Sequence, residues 1–229
     1  MKMNNIRAFA FDMDGTLIDS MTFWRGENRK FLARHGYPVP EGLDDKIDTM
    51  SSHTFAKIFS EAHPEAFTYE EICAEYLEIM EKLYQTVIPL KPGARELLDF
   101  LKERGVRLCV ATATPRATAK RALERHGILD AFEFVTDDAE NGMGKGDPAY
   151  FPRLAARMGV STEEMALFED SRYAMISGRA AGLTVFAIEE AVYLNKPEVM
   201  RDIKSTAHFF VKDFFEAANL LSDKNPARI

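Results

Sequence analysis

Two aspartates one residue apart, Asp12 and Asp14, leave the apolar run Phe9-Ala10-Phe11 and enter the turn Gly15-Thr16-Leu17. A strand alternates its side chains, so both carboxylates are expected to project toward the same region near the strand's carboxyl end. Acids held close in a partly dry site raise one another's proton affinity unless a positive charge offsets the repulsion. The pair therefore suits a divalent cation and a nucleophile. Hard oxygen ligands favour magnesium, which keeps several waters and also takes oxygens from a phosphate. No His or Cys adjoins the pair to suggest zinc. The plainer alternative is a tight turn after a strand, for which Asp and Gly are common residues.

The elements that must position these acids follow from the pattern along the chain. Residues 20–86 lose strand alternation, and segments 21–35, 53–62 and 68–86 carry apolar residues at helical spacing. Thr68-Tyr-Glu-Glu71 has the form of a capping box, and His35-Gly36-Tyr37-Pro38 closes the first helix. From Pro89 helices and strands alternate, as in a parallel sheet wrapped by helices. Strands are expected at 107–111, 134–136, 165–168 and 183–188, and a last strand-helix pair at 207–221. The predicted fold is α/β, a doubly wound parallel sheet at 1–19 and 87–229 with an inserted all-α cap at 20–86. In such sheets ligands bind beyond the carboxyl ends of the strands, where strand order reverses. Strands ending at Asp12 and Asp14, at Thr112, and at Glu169 and Asp170 would bring sequence-distant groups together there.

Composition narrows the partners. The 229 residues can hold one substantial core or a core with a smaller insert. A balance of 29 basic against 36 acidic residues, net −7, argues against nucleic-acid polymers and anionic membranes. The run 6–11 is too short for a signal peptide or a membrane span, and a cytoplasmic location is expected. Cys73 and Cys109 lie in apolar patterns and read as reduced packing residues.

The chain resembles the haloacid dehalogenase (HAD) superfamily, specifically its aspartate-nucleophile phosphatases and phosphomutases with a helical cap after the first strand. The resemblance rests on Asp12-x-Asp14-Gly-Thr, Thr112 after Leu108-Cys-Val-Ala, Lys145-x-x-Pro148-x-x-Phe151, and Glu169-Asp170-Ser171 followed by Ala180-Ala-Gly182. It implies a Rossmann-like core and Asp12 as the nucleophile that forms an aspartyl-phosphate. Magnesium would be held by Asp12, the backbone carbonyl of Asp14 and the side chain of Asp170. Lys145, Thr112 and the amides of Met13 and Ala113 would bind the phosphoryl group. Asp14 would protonate the leaving alcohol and then activate water, with Glu169 orienting Asp170 or a metal-bound water. Two positions depart from the pattern: Gly146 stands where a proline is frequent and Ala149 where an acid is frequent, which leaves open what anchors the lysine loop.

Three activities follow from the resemblance. The first is a magnesium-dependent phosphatase for a small phosphorylated metabolite, working as a monomer or small homo-oligomer. The alternative is a β-phosphoglucomutase-type phosphomutase, whose relatives carry a histidine twelve positions after the nucleophile and a cap arginine. Trp24 occupies the first of those positions, and segment 49–54 has no arginine, which favours hydrolysis. A hydrolytic dehalogenase, which works without metal, would not need Asp14. Trp24 and Arg25 are candidate specificity residues, an indole to stack and a guanidinium to grip an anion. Equally, Trp24 can pack inside the cap while Arg25 joins a solvated face.

Overall fold

Along β1 (Ala8–Phe11) alternate residues serve opposite layers, and all four are buried, as in the interior of a parallel sheet. Ala8 and Ala10 lie in a cluster with Phe151, Leu154 and Met175. The rings of Phe9 and Phe11 stack on Phe168 with centroids 5.6 and 5.1 Å away. These relationships come from a computed structural model that describes residues 5–43, 46–47 and 50–222. Thr49, part of the segment searched for an arginine, lies outside them. The chain divides into two units, Met1–Asp19 with Pro89–Ile229, and Ser20–Ile88.

The inserted unit is helical, with α1 (Met21–Trp24), α2 (Glu27–His35), α3 (Ser52–Ala62) and α4 (Tyr69–Thr86). The single helix expected over 21–35 is broken at Gly26, whose φ of 76° a residue with a Cβ rarely adopts. The capping box at Thr68 is present, with Glu71 N donating to Thr68 Oγ1 at 3.2 Å and Thr68 N to Glu71 Oε2 at 2.8 Å. Phe31 centres the core of this unit, its ring edge-on to Phe55, Phe59 and Phe67 at 5.5–5.6 Å. Phe31, Phe55 and Phe59 are fully buried, and each such ring contributes about 1.5–3 kcal/mol. Buried Asn28 is satisfied by accepting from Tyr76 Oη and donating to the carbonyls of Ile47 and Met50, all at 2.9 Å.

The remaining unit continues through α5 (Ala94–Glu103), β2 (Arg107–Thr112), α6 (Arg116–Arg125), β3 (Phe134–Asp137), α7 (Asp138–Asn141), α8 (Tyr150–Arg157), β4 (Met165–Glu169), α9 (Arg172–Ala180), β5 (Thr184–Ile188), α10 (Pro197–Thr206), β6 (Phe209–Val211) and α11 (Phe214–Leu221). The six strands are parallel in the order β3-β2-β1-β4-β5-β6, a Rossmann-like α/β core. Helices α7 and α10 were not expected from the sequence. The first is a single turn opened by Asp137, whose side chain accepts from Glu140 N; the second starts on Pro197. Among the described residues no helix is long and apolar enough to cross a membrane.

Candidate active site

The register of the sheet brings the first and last acidic motifs side by side. Phe11 pairs with Phe168, and the Asp12 N–H donates to the Phe168 carbonyl at 3.0 Å, so Asp12 emerges next to Glu169. This is the switch point, since β1 lies between β2 on one side and β4 on the other. Asp12, Glu169 and Asp170 are all buried and offer carboxylate oxygens within 4.8 Å of one another.

Lys145 enters the same cluster from the segment between α7 and α8. Its side chain is 3% exposed, and its ammonium donates to Asp12 Oδ1 and to Glu169 Oε2, the latter at 2.8 Å. The departures at Gly146 and Ala149 left the anchor of this loop open, and Asp147 supplies contacts there. Asp147 N bonds the Gly144 carbonyl at 2.9 Å, and Asp147 Oδ1 accepts from Ala149 N at 2.8 Å. Asp147 thus secures the loop from a position two residues before the missing acid at 149.

The charges in the cluster do not balance. Burial first, then repulsion from Glu169, pushes the Asp12 carboxyl up to about 8, with Lys145 pulling the other way. Asp170 is held well above the carboxylate range by burial and by the neighbouring Glu169 and Asp12. For Lys145 burial is opposed by Asp12 and Glu169, and the result is an ammonium held well above its ordinary range. Three carboxylates face one ammonium, leaving two negative charges if all are ionised. A dication with oxygen ligands fits this donor set, because it removes the penalty that otherwise keeps protons on Asp12 and Asp170.

The other loop that meets this end of the sheet follows β2. Thr112 is buried, and its Oγ1 accepts from Thr114 N at 3.0 Å. Ala113 between them is exposed. Asp14 is half-buried, and its Oδ2 accepts from the Thr114 hydroxyl at 2.7 Å. The Asp14 carboxylate is not part of the three-carboxylate group, whereas Glu169 is, and Glu169 Oε1 also accepts from the amides of Asp170 and Ser171 at 3.2 and 3.0 Å. Sequence reasoning missed Thr114, although a second threonine at the same strand end was its visible signal.

The family model for haloacid dehalogenase-like hydrolases matches residues 6–182. The chain belongs to that family. Among its curated relatives is the phosphorylated carbohydrates phosphatase of Thermotoga maritima, 27% identical over 178 residues that cover 78% of this chain and 82% of the relative. Hexitol phosphatase B of Escherichia coli is 27% identical over 206 residues, covering 87% and 91% respectively. The crystal structure of CbbY from Rhodobacter sphaeroides in complex with phosphate superposes with a TM-score of 0.72 at 22% identity, covering 92% of this chain and 96% of that one.

In this HAD-like hydrolase a second buried ion pair lies beyond the acidic cluster. Lys91 Nζ donates to Glu190 Oε2 at 2.6 Å and to the Glu189 carbonyl at 3.0 Å, tying the segment after β5 to the start of α5. Its partners stand 99 positions apart, so no local pattern announces it. In the helical unit Trp24 is partly buried against the Phe31 cluster, and Arg25 is exposed, with extended backbone, just after α1.

Proposed function

We propose that this HAD-like hydrolase is a magnesium-dependent phosphatase of small phosphorylated sugars or polyols, working through an aspartyl-phosphate on Asp12. The observation that carries the reading is the placement of the Asp12 carboxylate at the sheet's switch point, bonded to the Lys145 ammonium and close to the carboxylates of Glu169 and Asp170. The phosphatases among its relatives support the substrate class.

Asp12 and Asp170, with the Asp14 carbonyl, would hold magnesium, and Glu169 would orient them through its bonds to Lys145 and to the Asp170 and Ser171 amides; bound there, the ion would offset negative charge on the phosphoryl oxygens. The protein's own groups account for the rest. An ionised Asp12 oxygen attacks phosphorus, the ester P–O bond breaks, and the departing oxygen takes a proton from Asp14. Asp14 then removes a proton from water as that water attacks the aspartyl-phosphate; the P–O bond to Asp12 breaks, and inorganic phosphate leaves. Lys145 offers an ammonium donor to the phosphoryl group, and Thr112 a hydroxyl whose proton is not used by its bond to Thr114 N. The Ala113 amide is a further donor in the same turn.

Asp12→Asn tests the proposal. It is expected to abolish magnesium-dependent hydrolysis of p-nitrophenyl phosphate while leaving the circular dichroism spectrum unchanged. Full activity in that variant would overturn the nucleophile assignment. A panel of sugar and polyol phosphates then defines the substrate, and isomerisation of glucose 1-phosphate in the same panel would replace hydrolysis by the mutase reading.

A further inference from the structure

We infer that Thr114 is the positioning residue for Asp14 and determines which oxygen of that carboxyl handles the proton. The inference rests on the phosphatase reading above. Thr114 stands 100 positions from Asp14, yet its hydroxyl donates to Asp14 Oδ2 at 2.7 Å. Its backbone N–H donates to Thr112 Oγ1 at 3.0 Å. One residue therefore contacts two groups to which the phosphatase reading gives different duties: the carboxyl that would exchange a proton with the ester and with water, and the hydroxyl that would donate to the phosphoryl group.

The chemistry follows from donor and acceptor capacity. A threonine hydroxyl has one proton to give, and here it goes to Oδ2. The acid proton of Asp14 then belongs on Oδ1. In the first half-reaction Oδ1–H gives its proton to the leaving alcohol oxygen as the ester P–O bond breaks, and Asp14 becomes a carboxylate. In the second, Oδ1 takes a proton from the attacking water as the P–O bond to Asp12 breaks. The Thr114–Oδ2 bond persists through both, and it strengthens when the carboxyl is charged. Asp14 thus keeps one orientation while it changes role, so proton transfer needs no reorganisation of the turn. A residue at 114 without a hydroxyl removes the bond that marks Oδ2 as the acceptor.

The test compares wild type with Thr114→Val, which keeps the shape and removes the hydroxyl, and Thr114→Ser, which restores it. Each is assayed with magnesium on p-nitrophenyl phosphate, whose leaving group departs without help, and on glycerol phosphate, whose alkoxide needs a proton. For Thr114→Val, kcat on glycerol phosphate is expected to fall about tenfold or more with KM little changed. On p-nitrophenyl phosphate a burst of p-nitrophenol is expected, because the aspartyl-phosphate still forms but waits for its water. Thr114→Ser is expected to recover most of both losses. Wild-type kinetics in Thr114→Val would overturn the inference. So would equal losses on both esters with no burst and no recovery by serine, the pattern of a merely structural residue. Failure of the phosphatase reading is distinguishable, since it shows as wild-type turnover that survives Asp12→Asn, and it would remove this inference as well.

Discussion

Lys145 Nζ donates to Glu169 Oε2 at 2.8 Å across 24 positions of sequence, with both side chains buried. The glutamate is therefore part of the charge balance around Asp12, and not only a brace for Asp170. Glu169→Gln keeps a carbonyl oxygen for the Asp170 and Ser171 amides but removes the charge. Its magnesium affinity, measured by calorimetry, is expected to fall about tenfold to a hundredfold. Unchanged affinity would limit Glu169 to holding the loop.

The reciprocal substitution reads the same balance through stability. Lys145→Met removes the only ammonium that bonds Asp12 and Glu169 among the contacts described, leaving two buried acids face to face. Breaking a buried pair from one side costs about 3–5 kcal/mol. Urea unfolding of the metal-free variant is expected to show a loss of that order, part of which saturating magnesium recovers by binding the folded state. A metal-free variant as stable as wild type would contradict the pairing.

Metal choice is the third outcome. Turnover is expected to stop in excess chelator and to return with magnesium, while calcium restores it poorly because its larger, looser shell misplaces the attacking oxygen. Undiminished hydrolysis of p-nitrophenyl phosphate in chelator would count against the metal.

Far from the site, His208 supplies a pH-dependent contribution to stability. Its Nδ1 accepts from Val185 N at 3.0 Å, a role that only the unprotonated nitrogen can fill. Burial, and then the Arg179 charge, holds its pKa below the ordinary histidine value. The unfolded chain therefore binds the proton more readily, and stability present above the unfolded pKa is lost as pH falls through that value toward the folded one. The melting temperature is expected to drop from pH 7.5 to 5.5, and His208→Gln to flatten that drop. An equal drop in the variant would assign the effect to other groups.

Much of the site was legible because each group sits at the end of a buried strand that announces itself. Phe9-Ala-Phe11, Leu108-Cys-Val-Ala111 and Ala166-Leu-Phe168 are apolar runs that stop at polar residues, and a parallel sheet aligns such ends. What anchors the lysine loop was not legible, because the burial of Lys145 and the turn at Asp147 depend on contacts that Gly146 and Ala149 do not announce. Thr114 was overlooked for a related reason: its partner is 100 positions away, and a threonine after a strand has ordinary local uses.

The sequence by itself determined the alternation of helices and strands, the acids at their ends and the kind of ion those acids would suit, because local periodicity and side-chain chemistry are written residue by residue. Tertiary structure alone decided that Glu169 pairs with Lys145, that Thr114 holds Asp14, and that Lys91 meets Glu190. Those pairings depend on strand register and loop closure, which bring together groups whose distance along the chain carries no signal of contact.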